Sequence, residues 1–315
     1  MKPKEILLLG ASGQIGRNLI RKFTINNFKI TAVTRNLHSR GYLLKTQGNP
    51  GYLEIEEANI FNEKELNKLV TNSNICINLI GILHEKKNNT FTNIHRNFPD
   101  VLSRLCFKNK IEQFIHVSAL GVDKATDSVY AKSKLEGENI IKKNFPSSVI
   151  LRPSLVYSVD DNFTTNFMRL LSFSPIFPLY YSGETKFTPL HVSDMTEIIF
   201  QIVKNNLNSK IIECIGPEII TFKEIMKKIL SAIKKKRLLI PTPLLVGNIT
   251  ANLMEAFMPN PLITRDQLRL LKYDNVASGK YKTNFDYEIP SNLRFEDEIN
   301  KYSYMWRESG QFAKN

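Results

Sequence analysis

The segment Glu5-Ile-Leu-Leu-Leu9-Gly10-Ala-Ser-Gly13-Gln-Ile-Gly16 decides the fold class, because an apolar run passes directly into a glycine-rich turn. The run Ile6–Leu9 is typical of a strand that is buried on both faces. Gly10 permits a tight turn, Gly13 lets backbone N–H groups approach a phosphate, and Gly16 lets the next helix pack closely on the strand. The segment therefore predicts a dinucleotide site, with contacts from Gly10, Ser12, Gly13, Gln14, Ile15 and Gly16.

Short apolar runs alternate with amphipathic stretches through the first half of the chain. Strands are expected at Glu5–Leu9, Lys29–Val33, Tyr52–Ile55, Ile75–Ile80, Gln113–Val117 and Ser148–Arg152. Helices are expected near Gln14–Phe23, Glu63–Val70, Asn93–Phe107 and Val129–Lys143. This alternation predicts βαβ units in a Rossmann-type, doubly wound parallel α/β sheet.

The second half of the chain is less regular. At roughly 150 residues per domain, 315 residues predict about two structural units. Prolines interrupt the pattern at 175, 178 and 189, and helical periodicity returns at Phe222–Lys236 and Gly247–Phe257. We expect residues 1–157 to form the nucleotide-binding domain, with 186–217 returning to it. Residues 158–315 are expected to form a smaller, irregular, mostly helical C-terminal lobe for substrate or partner contact.

Composition narrows the classes of function. Forty-three Lys and Arg against 30 Asp and Glu give a net charge of +13, which favours an anionic cofactor, partner or membrane surface. The bland alternative is a lysine-rich surface that is merely well solvated. Three distant cysteines fit a reducing compartment, and five histidines without ligand spacing give no reason to expect a metal. With neither a signal peptide nor a spanning segment in the sequence, we expect a cytoplasmic protein that binds no nucleic acid.

Arg35 decides the expected cofactor. It follows the second strand, where an acidic residue would bind the ribose 2′-OH of NAD and an arginine accommodates a 2′-phosphate. NADP(H) is therefore favoured over NAD(H), although Arg35 as a plain solvated loop residue remains the alternative. Asn59 and Ile60, after the third strand, and Asn78 and Gly81, near the end of the fourth, are expected to wall the adenine and ribose pocket. Asn78 could equally be an ordinary strand terminator.

A second group of residues, Ser118, Tyr130 and Lys134, predicts acid–base chemistry. The i,i+4 spacing places Tyr130 and Lys134 on one helical face, where a cation would lower the pKa of the phenol. Ser118 ends the fifth strand and is expected to hydrogen-bond a substrate carbonyl. In a lysine-rich chain Tyr-x-x-x-Lys also arises by chance, so the motif gains weight only beside the glycine turn and Ser118.

Several motifs together resemble the extended or atypical short-chain dehydrogenases/reductases. They are the glycine turn, Asn78-Leu-Ile-Gly81, Phe114-Ile-His-Val-Ser118-Ala-Leu-Gly121, Tyr130-x-x-x-Lys134, Leu151-Arg-Pro-Ser154 and Pro189-Leu-His-Val-Ser-Asp194. Within that superfamily the chain is most similar to the 39 kDa accessory-subunit family of respiratory complex I, also through Pro259-Asn-Pro261-Leu-Ile-Thr-Arg265-Asp266. The resemblance, from about residue 5 to 300, implies a bound NADPH that Pro153 also contacts.

The resemblance also implies a role in assembling or stabilising complex I near the membrane. Because mitochondrial members carry a presequence and this chain starts almost at its first strand, a bacterial origin is expected. Lys234-Lys-Lys-Arg237 adjoins the apolar Leu238–Val246, as a peripheral contact with complex I or an inner-membrane surface would. A helix end followed by a core-packing turn is the alternative. Two functions stay open, a structural nucleotide-binding subunit and a working NADP-dependent reductase, dehydrogenase or epimerase.

Overall fold

A computed structural model describes residues 3–86, 89–257, 263–308 and 310 of the chain. Within these ranges lie strands β1 to β14: Glu5–Leu9, Lys29–Thr34, Leu53–Glu57, Ile75–Asn78, Gln113–Val117, Val149–Pro153, Val156–Tyr157, Ile176–Leu179, Lys186–Phe187, Leu190–His191, Lys210–Cys214, Ile220–Thr221, Leu238–Pro241 and Lys282–Thr283. Helices α1 to α11 are Gln14–Ile25, Leu37–Lys45, Glu63–Thr71, Phe98–Lys108, Val129–Asn144, Thr164–Phe173, Val192–Lys204, Phe222–Ala232, Leu244–Phe257, Arg265–Leu270 and Phe295–Tyr302. A π-helical turn spans Thr92–Asn97, and 3-10 turns span Tyr180–Gly183, Phe285–Tyr287 and Ser303–Trp306.

The main sheet has eight strands in the order β14-β11-β6-β5-β4-β1-β2-β3, and every neighbouring pair is parallel. The six strands expected from the sequence are β1 to β6, and their ends differ from the expected ones by at most two residues. This is the doubly wound order, with the reversal between β1 and β4. The Rossmann-type fold predicted from the glycine turn and the βαβ alternation is confirmed.

Helices cover both faces of the sheet, which explains why β1 and β4 are apolar throughout. One face packs against α1, α2 and α7 through a cluster that includes Leu19, Phe23 and Ile198. The other packs against α3, α4 and α5 through a cluster that includes Leu66, Phe98 and Ile141. Neither face of β1 is left to solvent, and its last four residues are fully buried.

The C-terminal part has its own apolar core, built around α6, α8 and α11 from residues such as Met168, Ile225 and Phe295. Strand β11 leaves this part and pairs with β6, and β14 pairs with β11, so the chain re-enters the main sheet twice. The proposed boundaries at 157 and 186–217 stay predictions, although β11 shows a return to the sheet. Among the residues that the structure describes, no helix combines the length and the apolar character that a membrane span requires.

One expected helix is divided. The amphipathic pattern over Asn93–Phe107 predicts a single helix, whereas the structure has the π-helical turn followed by α4. Pro99 lies at the start of α4, and its ring cannot share space with the carbonyl of residue 95, four positions earlier. The freed His95 carbonyl packs on α5 so closely that a Cβ at Gly137 would lie 2.0 Å from its oxygen. The proline thus widens the turn that faces the start of α5.

Candidate functional site

The glycine turn forms a cradle at the N-terminus of α1. Gly10 adopts a φ of +82°, a conformation that side chains disfavour, and its carbonyl accepts a hydrogen bond from the Gly13 N–H at 3.1 Å. At Gly16 a Cβ would lie 2.5 Å from the carbonyl oxygen of Ala11, so only glycine lets α1 start this close to β1. Gly13 caps α1 without a side chain, so the first N–H groups of the helix remain available to a phosphate.

The start of α1 is also tied to the loop that follows β7. The Gln14 amide donates to the carbonyl of Val156 at 3.3 Å and accepts from the Ser158 hydroxyl at 2.7 Å. Arg17 donates to the carbonyl of Ser12 and pairs with Asp160. These contacts join the start of α1 to the segment at and after β7 and hold the cradle in place. Ile15 packs into the core beneath it.

Lys134 lies beneath the other half of the cleft. Its side chain is buried on α5, its Nζ donates to the carbonyl of Val117 at 3.2 Å, and the Nζ lies 2.9 Å from where a Cβ would stand at Gly81. Burial lowers the pKa of Lys134 to about 8, against the opposing pull of the Glu138 carboxylate one turn further along the helix. The lysine is therefore aimed from α5 at the carboxyl ends of β4 and β5, where this fold binds its ligands.

Tyr130 lies one turn before Lys134 and is partly buried. Its ring contacts Phe91 and His95 edge-on, with centroids 5.9 and 5.5 Å away. Burial, and after it the Asp266 carboxylate, raises the pKa of the Tyr130 phenol to about 12. Burial and the neighbouring Asp266 carboxylate set the direction of this shift, and the lowering expected from Lys134 stays a prediction.

Ser118 supplies the test of whether a cofactor or substrate fits. Its Oγ is buried at the end of β5 and has no hydrogen-bond partner among the described residues. A buried hydroxyl without a partner costs free energy that a ligand atom would recover. Together with the open N–H groups of α1 and the Lys134 ammonium, Ser118 gives the cleft the donors that a nicotinamide dinucleotide needs. The residues present fit that group.

Two buried histidines, not singled out from the sequence, surround Lys134. His95 Nε2 accepts from the Ile82 N–H at 3.1 Å, and Nδ1 lies 2.9 Å from the Ser133 hydroxyl. Burial, then Lys134 and His116, lowers the pKa of His95 to about 2, and burial with Lys134 depresses the pKa of His116 as well. Both rings are therefore neutral at physiological pH. His95 is far from Tyr130 and Lys134 in the sequence, and the packing of the π-helical turn against α5 brings its ring close to them.

At the end of β2, where the sequence predicts that the cofactor is selected, the structure adds a carboxylate near Arg35. Arg35 directly follows β2, is exposed, and forms no ion pair with a residue that the structure describes. Glu57, at the end of the neighbouring strand β3, accepts a hydrogen bond from the N–H of Leu37 at 2.6 Å. The sequence places no carboxylate close to Arg35, yet the sheet brings one to the start of α2. Strand pairing, rather than chain distance, decides which charges meet here.

The remaining expected pocket residues have other partners. Asn78 is fully buried, its amide lies 3.0 Å from His116 Nδ1, and its oxygen accepts from the Ile80 N–H at 3.0 Å. Ile60 is buried in the core, and the Asn59 oxygen accepts from the Phe61 N–H. Gly81 is exposed beside Lys134, and the carbonyl of Pro153 accepts from the Leu120 N–H at 2.9 Å. Contact of these residues with a nucleotide stays a prediction.

A buried ion pair fixes α5 against the sheet. Arg152, at the end of β6, donates to both oxygens of Glu138 at 2.9 and 2.7 Å, and both side chains are almost fully buried. Asp123 adds a contact at 3.1 Å, and the Tyr281 ring lies 4.7 Å from the guanidinium carbon. Because Glu138 is one turn from Lys134 on α5, this pair ties the part of the helix that carries the lysine to β6. Within the described ranges, no three His, Cys, Asp or Glu side chains gather as a metal site would need.

Comparison with known proteins agrees with this geometry. Residues 4–244 match the family described as the RmlD substrate binding domain. The chain belongs to this family.

Three individual proteins place the chain more closely. The NADH-ubiquinone oxidoreductase 40 kDa subunit of Neurospora crassa mitochondria is 25% identical over 278 residues, covering 88% of this chain and 72% of that protein. A ceramide reductase of Caulobacter vibrioides is 22% identical over 189 residues, 60% of this chain and 57% of that protein. The UDP-glucuronic acid 4-epimerase of Bacillus cereus, solved with UDP-glucuronic acid and NAD, superposes with a TM-score of 0.69 at 17% identity, over 95% of this chain and 98% of that one. The resemblance to complex I 39 kDa subunits is confirmed.

Proposed function

We propose that the chain is an NADP(H)-binding protein of a complex I-type assembly and that the bound nucleotide is mainly structural. The carrying observation is that the glycine cradle and the buried Lys134 are intact in a chain related over 88% of its length to a complex I subunit. A bound nicotinamide dinucleotide can supply or accept a hydride, but holding it also has value by itself. A ligand present at a hundred times its Kd stabilises the folded state by about 2.7 kcal/mol.

The preference for NADP(H) rests on Arg35. An exposed guanidinium at the end of β2 stands where a 2′-phosphate would need a cation, and it has no competing partner among the described residues. The Glu57 carboxylate opposes this preference, because it places a negative charge at the start of α2, where it accepts the Leu37 N–H. The proposal is that the exposed Arg35, which forms no ion pair among the described residues, outweighs a carboxylate that is already hydrogen-bonded.

The proposed partner surface lies on the C-terminal lobe, from β13 to α9. Leu238 and Leu245 are 65% and 73% exposed, and Ile249 is 55% exposed. A shallow groove beside β13 is lined by Lys223, Lys227, Lys235 and Lys236. Cations next to exposed aliphatic side chains suit the anionic surface of a membrane, where each cation contributes about 1 kcal/mol. We place this surface against complex I and the cytoplasmic face of a bacterial inner membrane.

The structure changes one detail of the cationic run. The Arg237 guanidinium donates to the carbonyls of Leu171 and Ser172 at 2.9 Å each, and Lys235 pairs with Glu308. The Arg237 side chain is therefore fixed at the end of α6 and is less free to reach a partner. Lys223, Lys227 and Lys236 are the better candidates for attraction to lipid phosphates.

A working reductase is the second candidate, and the partnerless Ser118 hydroxyl favours it. A nicotinamide held in the cleft would supply hydride chemistry there, and Tyr130 would give a proton to the oxygen of a substrate carbonyl, so that the carbonyl becomes an alcohol as the nucleotide is oxidised. Ser118 would hold the carbonyl and Lys134 the nicotinamide ribose. Tyr130→Phe should then leave nucleotide affinity nearly unchanged and abolish turnover, whereas the structural proposal expects no turnover to lose.

The deciding experiment is purification of the chain from native membranes in mild detergent, with mass analysis of the co-purifying proteins and of the released nucleotide. Complex I subunits together with NADP(H) in one-to-one amount support the proposal. Replacing Lys223, Lys227 and Lys236 by Gln should lower recovery with membranes and leave nucleotide content unchanged, since the cradle lies in the other lobe. A chain that stays wholly in the soluble fraction at low salt, without complex I subunits, moves the conclusion to the free reductase.

A further inference from the structure

The first turn of α5 is held by a carboxylate from the C-terminal part of the chain. Asp266, the second residue of α10, accepts hydrogen bonds from the Ser128 hydroxyl at 2.7 Å, the Val129 N–H at 2.9 Å and the Tyr130 N–H at 3.0 Å. Ser128 is the N-cap of α5 and itself accepts from the Ala131 N–H. Asp266 therefore completes the capping of the helix that carries Tyr130 and Lys134, from 136 residues away in sequence.

This contact is part of a longer seam. Lys272 lies 3.8 Å from Asp127, and Leu270 and Tyr273 pack on the cluster around Ala131. Asn275 then donates to the carbonyl of Leu120 and accepts from the Ser154 hydroxyl. The segment 264–275 thus follows the loop between β5 and α5, and Asp266 is its point of contact with the backbone of Tyr130.

The charges around Tyr130 come from three elements. The π-helical turn presents the neutral His95, α5 presents Lys134, and α10 presents Asp266 with Arg269 at 3.5 Å from its carboxylate. Ionising the phenol would add a second negative charge beside Asp266 in a partly desolvated place. Removing the carboxylate, without removing its hydrogen-bond acceptor, should therefore make the phenol more acidic.

We propose that Asp266 is a positioning residue for Tyr130: its carboxylate fixes the first turn of α5 at the cleft and places a negative charge in the surroundings of the phenol. The inference deepens the reductase candidate, and it rests on that proposed function only for the role of Tyr130 in transferring a proton to a substrate.

The test follows Tyr130 directly, in the full chain without nucleotide or substrate. Tyrosine is labelled with carbon-13 at the phenolic carbon, Tyr130 is assigned by its loss in Tyr130→Phe, and its signal is titrated with pH. Wild type should titrate with a midpoint near 12. Asp266→Asn loses the charge but keeps one oxygen, which can still accept from the Ser128 hydroxyl and the Tyr130 N–H, while the Val129 N–H loses its acceptor. It should lower the midpoint by about one pH unit, as one nearby charge does.

Two control variants separate charge from architecture. Asp274→Asn neutralises a carboxylate of the same segment, one that accepts from the Lys186 N–H at 2.8 Å, and should leave the midpoint unchanged. Ser128→Ala removes one hydrogen bond of Asp266 but not its charge, and the midpoint should stay close to wild type. An equal shift in Asp274→Asn, or none in Asp266→Asn, overturns the proposal.

The outcome does not depend on a variant that may fail to fold. If Asp266→Asn is unstable, Asp266→Ser takes its place, because it is neutral and still offers a hydroxyl oxygen to the start of α5; a midpoint equal to that of wild type then overturns the proposal. Since no nucleotide is present, a failed titration leaves the proposed nucleotide binding standing. Conversely, a chain that binds no nucleotide but shows the shift refutes the proposed function and keeps Asp266 in its role.

Discussion

The carboxyl edge of the sheet and the surface from β13 to α9 use the same residue types in opposite ways. At the sheet edge, Lys134 and Arg152 are buried, and each contacts a carbonyl or a carboxylate. At the surface, Lys236 and Leu245 both face solvent. Desolvating a cation costs the most free energy where water is excluded, so the buried cations at the sheet edge need fixed partners within the chain. The exposed cations from β13 to α9 are solvated and need none, so they remain available to another molecule.

The difference teaches where each region can be damaged. Buried groups at the sheet edge support one another, so a substitution there should change stability or nucleotide binding. Exposed groups on the C-terminal lobe touch little of their own chain, so a substitution there should change only the contact with a partner. Results that do not differ between buried and exposed positions in this way would contradict the comparison. The experiments below test it, beginning with the largest expected effect.

The largest effect is expected at the buried ion pair. Glu138→Ala leaves the Arg152 guanidinium buried with only Asp123 as a charged partner, and it should lower the free energy of unfolding by about 3 kcal/mol. Glu136→Ala is the matched control, because that glutamate is exposed on the same helix and lies 3.8 Å from Arg96; it should cost less than about 0.5 kcal/mol. Denaturant unfolding of both variants compares them, and equal losses would show that burial does not matter here.

Next is the pH dependence that Lys134 contributes. Its pKa of about 8 in the folded state lies below the ordinary 10.5, so the unfolded chain binds more protons between these values. Folding stability from this group therefore rises as pH goes from about 8 to about 10.5, by at most about 1.4 kcal/mol per pH unit, and is flat below 8. The free energy of unfolding of wild type minus that of Lys134→Met, measured across this range, should show the rise. A flat difference would mean that the ammonium is solvated.

A smaller effect concerns the choice of nucleotide. Arg35→Asp should remove a preference for NADPH over NADH of at least tenfold, which corresponds to about 1.4 kcal/mol, because a 2′-phosphate would then meet a carboxylate. Arg40→Asp, an equally exposed arginine on α2, should leave the ratio unchanged. Calorimetric titration with both nucleotides measures the ratio. If Arg35→Asp keeps the preference, or if Glu57→Gln has to be added before any preference appears, Arg35 does not select the cofactor.

The smallest change in stability, with a clear loss of contact, is expected on the C-terminal lobe. Leu245→Ser should alter the free energy of unfolding by less than about 0.5 kcal/mol and still lower binding to anionic vesicles, because the side chain is 73% exposed and would bury itself in the lipid. Phe107→Ser, at a 63% exposed residue of the nucleotide-binding half, is the control that should leave vesicle binding intact. Vesicle sedimentation gives the comparison, and equal binding by Leu245→Ser and wild type would remove this surface from the contact.

The sequence alone sufficed where structure is local. The apolar run before Gly10 and the glycine spacing predict β1, the turn and α1, because hydrophobic period and turn chemistry act within a few residues. The helix expected over Asn93–Phe107 is present, but its first five residues wind as a π-helical turn. The sequence does not foretell that detail, since the effect of Pro99 depends on how the turn packs against Gly137. Two contacts could not be foreseen from the sequence: that of Glu57 with the start of α2 and that of Asp266 with the start of α5. The first depends on strand pairing in the sheet, and the second on how the C-terminal lobe packs against α5.

The contact of Asp266 with α5 has a thermodynamic consequence. It joins the C-terminal lobe to the helix that places Lys134 under the cleft, so binding in the cleft and docking of the lobe share one element. By linkage, any factor by which a nucleotide strengthens the hold of the segment 264–275 is the factor by which that hold strengthens nucleotide binding. A neighbouring subunit that recognises only the docked lobe would therefore raise nucleotide affinity by the same factor, and would release the nucleotide as it left.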